Sequence, residues 1–171
     1  MSETNLVSVR QDTRGVAWLT IENAAKLNTL NRATMLALVG AVERLAQDAA
    51  LRAVVLRGAG DRAFIGGADI AEMAGLDAGS ARDFITLVHR SCDVFRRLPV
   101  PAIACIQGWT LGAGLEVAAA CDMRIAASTA RFGMPEVRVG VPSVVEAALL
   151  PGLIGWGRTR RLLLTGETID A

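Results

Sequence analysis

The sequence predicts an α/β domain in which strands are joined by right-handed helical crossovers, and three observations point there. Segments of strand character alternate with segments of helical period along the chain. Two of the strands, over 53–56 and 101–106, are continuous apolar runs of the kind found where a sheet is covered on both faces. The 171 residues are 52% hydrophobic and 20% charged, which is material for one core spanning residues 1–171 as a single domain.

Residues 6–10 alternate weakly and Val16-Ala-Trp-Leu-Thr-Ile21 is β-rich, so two strands joined by a hairpin through 12–15 are expected. Asn31 suits the cap of a helix whose apolar positions Met35, Leu38, Val39, Val42 and Leu45 keep the helical period. After the strand at 53–56 come a loop over 58–67 and a short helical stretch over 69–73. Residues 75–79 separate this from a helix over 80–98. The strand at 101–106 runs into a Gly-rich turn, an apolar helix over 115–120 and a strand over 122–127. Beyond Pro142, helices are expected over 144–150 and 157–165.

Charge, cysteines and termini narrow the function classes. With 18 Lys and Arg against 17 Asp and Glu, the net charge of +1 provides no field to recruit nucleic acid or an acidic membrane. Cys92, Cys105 and Cys121 are an odd, widely spaced set in apolar surroundings, which fits buried free thiols in a reducing, cytoplasmic setting. Met1-Ser-Glu-Thr-Asn has no basic stretch leading into an apolar one, so no secretory signal is expected. Residues 98–121 are apolar enough to raise a membrane span, but Pro99, Pro101, Gly108 and a mid-span Glu116 argue for strand, loop and buried helix instead. The single histidine, His89, excludes a multi-His metal site and lies off the apolar stripe of its helix, as a solvated residue would. Proton transfers therefore fall to carboxylates.

Two places share one form, a buried strand, a Gly-rich turn and a helix start. One runs from Leu56 to Asp69, the other from Cys105 to Glu116. A helix start leaves N–H groups unpaired, and two such turns aimed at one point would supply a pair of donors for a developing oxyanion. The alternative is that these glycines serve only tight turns and close packing. Glu116 stands among Leu115, Val117 and alanines, where burial would raise its pKa; an ion pair with Arg124 or Arg131 is the structural alternative. Glu136 follows Gly133-Met134-Pro135 in a stiff turn, and a salt-bridged loop carboxylate is its alternative. Two carboxylates brought close can divide acid and base roles. Arg158, Arg160 and Arg161 read as a solvated helix face.

Several motifs in order carry a resemblance. They are Ala63-Phe-Ile-Gly-Gly-Ala-Asp-Ile-Ala-Glu-Met73, Gln107-Gly-Trp-Thr-Leu-Gly-Ala-Gly-Leu-Glu-Val117, Cys121-Asp122 and Ala130-Arg-Phe-Gly-Met-Pro-Glu136. With Lys26-Leu-Asn-Thr-Leu30 before them and Leu162-Leu-Leu-Thr-Gly-Glu-Thr-Ile-Asp170 after, they resemble the enoyl-CoA hydratase/isomerase (crotonase) superfamily. The resemblance implies a spiral of repeated ββα units binding an acyl-CoA thioester, with no cofactor beyond the CoA of the substrate. It implies an oxyanion hole from the backbone N–H groups of Ala68 and Ala113, with Ala68, Asp69, Ile70, Ala71 and Ala113 lining the substrate. It makes Glu116 the base toward a water that attacks C3 of a trans-2-enoyl-CoA, and Glu136 the proton donor to C2. A double-bond isomerase using Glu136 alone and a silent acyl-CoA-binding fragment are the alternatives. Gly112-Ala113-Gly114 departs from the family's run of three glycines, Gly66 replaces a commoner alanine, and Ser143-Val-Val-Glu-Ala-Ala-Leu-Leu-Pro151 departs from a Gly-Gly-Thr-Gln-Arg-Leu-like stretch. Family chains continue past the position of Ala171 into helices that cover the site and help build homo-trimers or hexamers, so C-terminal helices are expected to be absent here.

Overall fold

The computed structural model describes residues 6–171; the expectation about a secretory signal at residues 1–5 lies outside the described residues. Strands β1 (Val7–Gln11) and β2 (Val16–Ile21) form the expected antiparallel hairpin, with Val7 opposite Ile21. Asp12 makes its turn, accepting from the N–H groups of Arg14 and Val16 and from the Arg14 guanidinium, which together hold its carboxyl below the usual range. Helix α1 (Arg32–Leu45) is capped by Asn31, which accepts from Thr34 N–H at 2.8 Å, and its periodic apolar positions are all buried.

From here the chain repeats one pattern. β3 (Ala53–Gly58) and β4 (Ala63–Ile65) lead to α2 (Ile70–Met73) and α3 (Ala78–Arg96); β5 (Ala102–Ile106) and β6 (Trp109–Leu111) lead to α4 (Ala113–Ala120). β7 (Met123–Ala126) and β8 (Arg131–Gly133) lead through 3-10 helices Pro135–Val139 and Glu146–Leu149 to α5 (Leu150–Thr165), and β9 (Thr168–Asp170) closes the described chain. The first strand of each unit joins a five-stranded sheet of order β1-β2-β3-β5-β7, and the second joins a four-stranded sheet of order β4-β6-β8-β9. Pairing is parallel within both sheets except at β1 with β2 and β8 with β9. A spiral of ββα units results.

The larger sheet packs against α1 and α3 through fully buried Leu19, Ile21, Leu38, Phe84, Phe95 and Ile106. Each such side chain contributes about 1.5–3 kcal/mol of burial. A second cluster joins Leu115 and Met134 to Leu150 and Leu162 of α5, tying the last helix to α4. The smaller sheet has no counterpart in the strand expectations: its members are three residues long, too short for alternation to register. α3 starts two residues before the expected position because Asp77 and Ser80 form a reciprocal capping box. Of the two helices expected past Pro142, the second is present as the part of α5 beyond Gly155, which breaks that helix at φ 79°, while the first starts as the 3-10 turn Glu146–Leu149 and runs on into α5 up to the break. β7 lies at the edge of its sheet, so Met123 and Ile125 are exposed.

Cys92 and Cys121 are buried, Cys105 is partly buried, and all three are free thiols. Residues 98–121 fold into β5, β6 and α4, and no described helix is long and apolar enough to cross a membrane.

Candidate active site

The first Gly-rich turn is held from outside by residues 27–30. Gly66 N–H donates to the Leu27 carbonyl at 2.8 Å, Leu30 N–H to Gly67 at 2.9 Å, and Asp69 N–H to Leu30 at 3.0 Å. These bonds leave the N–H of Ala68, between Gly67 and Asp69, unclaimed among the described residues. The brace itself depends on Asn28, which is fully buried in the left-handed region that asparagine tolerates. Its side-chain amide donates to the Ala59 and Ala63 carbonyls at 3.0 and 2.8 Å, and its oxygen accepts from Asn23 N–H. Asn28→Ala would strand those buried carbonyls and is expected to cost about 2–4 kcal/mol of stability, measured by urea denaturation.

The second turn ends at Gly112, the residue preceding α4, whose N–H donates to the Gly133 carbonyl at 2.9 Å. Ala113 is the first helical residue, so its N–H has no partner within the helix and its side chain meets an ordinary helical backbone. That is why alanine is accommodated at 113 while its neighbours stay glycine. An added Cβ at Gly114 would overlap the Ile65 carbonyl, and one at Gly112 would overlap Glu136 Oε1. Gly112 also has φ +50°, so a side chain there is strained whatever the space. The absent Cβ lets the Glu136 carboxylate rest against the positive end of α4. Gly112→Ala is therefore expected to displace Glu136 and lower turnover about 10²-fold with the circular-dichroism spectrum retained.

Glu116 lies one turn into α4 and is 4% exposed. Neither arginine considered as its partner reaches it: Arg124 donates to the Ala118 and Cys121 carbonyls, and Arg131 to those of Thr129 and Ala130. Its Oε1 accepts from Ala147 N–H at 2.8 Å. Burial pushes its carboxyl up to about 7, with help from the charges of Glu136 and Glu146, against the pull of the Ala147 N–H. Glu136 is half-buried in the 3-10 helix Pro135–Val139. Burial raises its carboxyl too, while its own backbone N–H and the Ser143 hydroxyl, 3.3 Å from Oε2, draw it back.

Both carboxylates face one cavity of about 450 Å³, bordered also by Ala68, Ile70 and Ala113. Met73, Phe84, Val88 and Val144 make its far wall apolar. Asp69 and Ala71 lie off the cavity wall: the Asp69 carboxylate caps α2 by accepting from the N–H groups of Ala71 and Glu72. Arg158, Arg160 and Arg161 are exposed on α5 as expected, Arg160 over Trp156 and Arg161 paired with Glu167. Asn28, Ser143 and Ala147 are site-building residues that motif reading missed. Among the described residues no cluster of His, Cys, Asp and Glu is arranged to hold a metal. A cavity with two unclaimed N–H donors and two carboxylates of raised pKa can polarise a carbonyl and move a proton at the atoms beside it.

The model of the enoyl-CoA hydratase/isomerase family matches residues 11–171. A crotonyl-CoA hydratase of Syntrophomonas wolfei is 37% identical over all of this chain and 65% of its own length. A short-chain-enoyl-CoA hydratase of Clostridium acetobutylicum is 39% identical over 91% of this chain and 60% of its own. The crystal structure of an enoyl-CoA hydratase from Bacillus anthracis superimposes with a TM-score of 0.92 at 34% identity, covering 97% of this chain and 65% of that one. The chain thus spans less than two thirds of the length of these relatives.

Proposed function

The chain belongs to the enoyl-CoA hydratase/isomerase family, and from that premise we propose that it forms the catalytic core of an enoyl-CoA hydratase. The thioester carbonyl of a trans-2-enoyl-CoA accepts hydrogen bonds from Ala68 and Ala113 N–H, drawing electron density toward oxygen and leaving C3 electrophilic. Glu116 takes a proton from a water held between the two carboxylates, and the water oxygen bonds to C3. The enolate that forms collapses as Glu136 delivers its proton to C2. Water has then added across the double bond, and one proton remains on the carboxylate pair. CoA enters and leaves as part of the substrate, and no other cofactor takes part.

The observation that carries this reading is the pair of buried carboxylates on the same cavity as the two unclaimed N–H groups. Isomerisation needs one acid–base group, whereas addition of water uses two. The test is to incubate the whole protein with crotonyl-CoA and follow the conjugated-enoyl absorbance. Loss of that absorbance, with 3-hydroxybutyryl-CoA formed, is expected. Conversion of a 3-enoyl-CoA with no loss from crotonyl-CoA would sink the hydratase reading in favour of the isomerase. Assembly into a homo-trimer or hexamer and residence in the cytoplasm complete the proposal for the whole protein; light scattering on the purified protein checks the first.

A further inference from the structure

A third buried carboxylate is left unused by that chemistry. Glu146 is 5% exposed, its Oε1 lies 2.7 Å from His89 Nδ1, and its Oε2 meets no N–H or O–H donor among the described residues, the weakly donating Cys92 thiol standing beside the carboxylate. The expectation of a merely solvated His89 is thus half right: its ring is 48% exposed, yet it reaches inward from α3 to a buried acid. A buried carboxylate oxygen without an N–H or O–H donor costs stability. Glu146 opens the 3-10 helix Glu146–Leu149, and the next backbone N–H, that of Ala147, holds Glu116 Oε1. One side-chain contact from His89 to Glu146 and one peptide bond from Glu146 to Ala147 therefore link His89 to the group that orients Glu116.

We propose that Glu146, anchored by His89, is a positioning residue for Glu116: the pair fixes the start of the 3-10 helix so that Ala147 N–H meets Glu116 Oε1, and it sets a further carboxylate behind the reacting one. Among the described residues His89 is the only basic side chain touching Glu146. α3 also presents Cys92, a thiol pushed well above its ordinary range by burial and by the charge of Glu146, so it stays neutral. α4 presents Glu116 with Cys121 near Cys92, and the 3-10 helix Pro135–Val139 presents Glu136. On its outer side His89 opens into a polar cleft edged by Glu43, Arg90, Asp93 and Arg97. The charge of a carboxylate behind Glu116, with no arginine or lysine among the described residues paired to it, discourages ionisation of Glu116 and keeps it able to exchange protons near neutral pH.

The purpose of the positioning rests on the hydratase reading, but its test does not. In protein carrying 13C-labelled glutamate, the Glu116 carboxyl is assigned by its loss in Glu116→Gln and titrated by NMR. Glu146→Gln is expected to lower its midpoint from about 7 toward the ordinary range, because a neighbouring charge is gone while the shape is kept. His89→Ala, at a half-exposed position, is expected to speed hydrogen exchange at Ala147 and Ala148 about tenfold and leave β3 and β5 amides unchanged. An unchanged Glu116 midpoint in folded Glu146→Gln, or unchanged exchange in His89→Ala, overturns the proposal. With crotonyl-CoA, Glu146→Gln is expected to lower kcat and keep KM. If both NMR results appear while the unsubstituted protein hydrates nothing, the anchor stands and the hydratase reading falls.

Discussion

Replacing Glu136 with Gln is expected to lower the hydration of crotonyl-CoA by about 10²–10⁴-fold, the usual contribution of a positioned proton donor or acceptor. KM should change little. The amide keeps the size and the acceptor oxygen of the carboxylate, so Ser143 Oγ still has its partner and the contact over Gly112 persists. What disappears is the transferable proton, which in the proposed mechanism is needed at C2 only as the enolate collapses. The apolar cavity walls, Met73, Phe84 and Val88 among them, are untouched. A tenfold rise in KM with kcat preserved would instead make Glu136 a binding group and remove it from the reaction.

The same residues show what could be read from the sequence. Glu116 and Glu136 announced themselves because a carboxylate in an apolar run is physically conspicuous, and both face the cavity. The Gly-rich turns were legible as places of close approach, and Gly112 and Gly114 have the steric reasons expected of them. Proximity was not legible: Glu136 reaches α4 through the parallel pairing of β6 with β8, and β8 is a strand of three residues that leaves no periodic trace. Asp69 shows the opposite failure. Its motif position suggests a wall residue, but an aspartate before a helix is claimed by the helix's own N–H groups. Glu146 drew no reading of its own, since nothing local reveals that His89, 57 residues earlier in the chain, meets it.

Glu116→Gln should separate activity from stability in a pH-dependent way. The carboxyl sits at about 7 in the folded chain against an ordinary value of 4.5, with burial the leading cause. Between those values the folded state keeps a proton that the unfolded state has released, so folding stability falls as pH rises through this window. The loss is complete above about pH 7 and is on the order of 3 kcal/mol. A glutamine cannot ionise and still offers an oxygen to Ala147 N–H, so the substitution is expected to leave stability unchanged near pH 4 and to raise it at pH 8. Activity should go the other way. The proposed hydration needs one proton on the Glu116–Glu136 pair, so activity is expected to fall where the pair takes up a second proton at acid pH and again where it loses its last proton as pH rises through about 7, a bell whose limbs belong to the pair. Denaturation at pH 4 and pH 8, set beside the pH–rate profile, measures both halves. A Glu116→Gln protein that is inactive but no more stable at pH 8 would mean that Glu116 ionises without cost, and the base would then owe nothing of its pKa to burial.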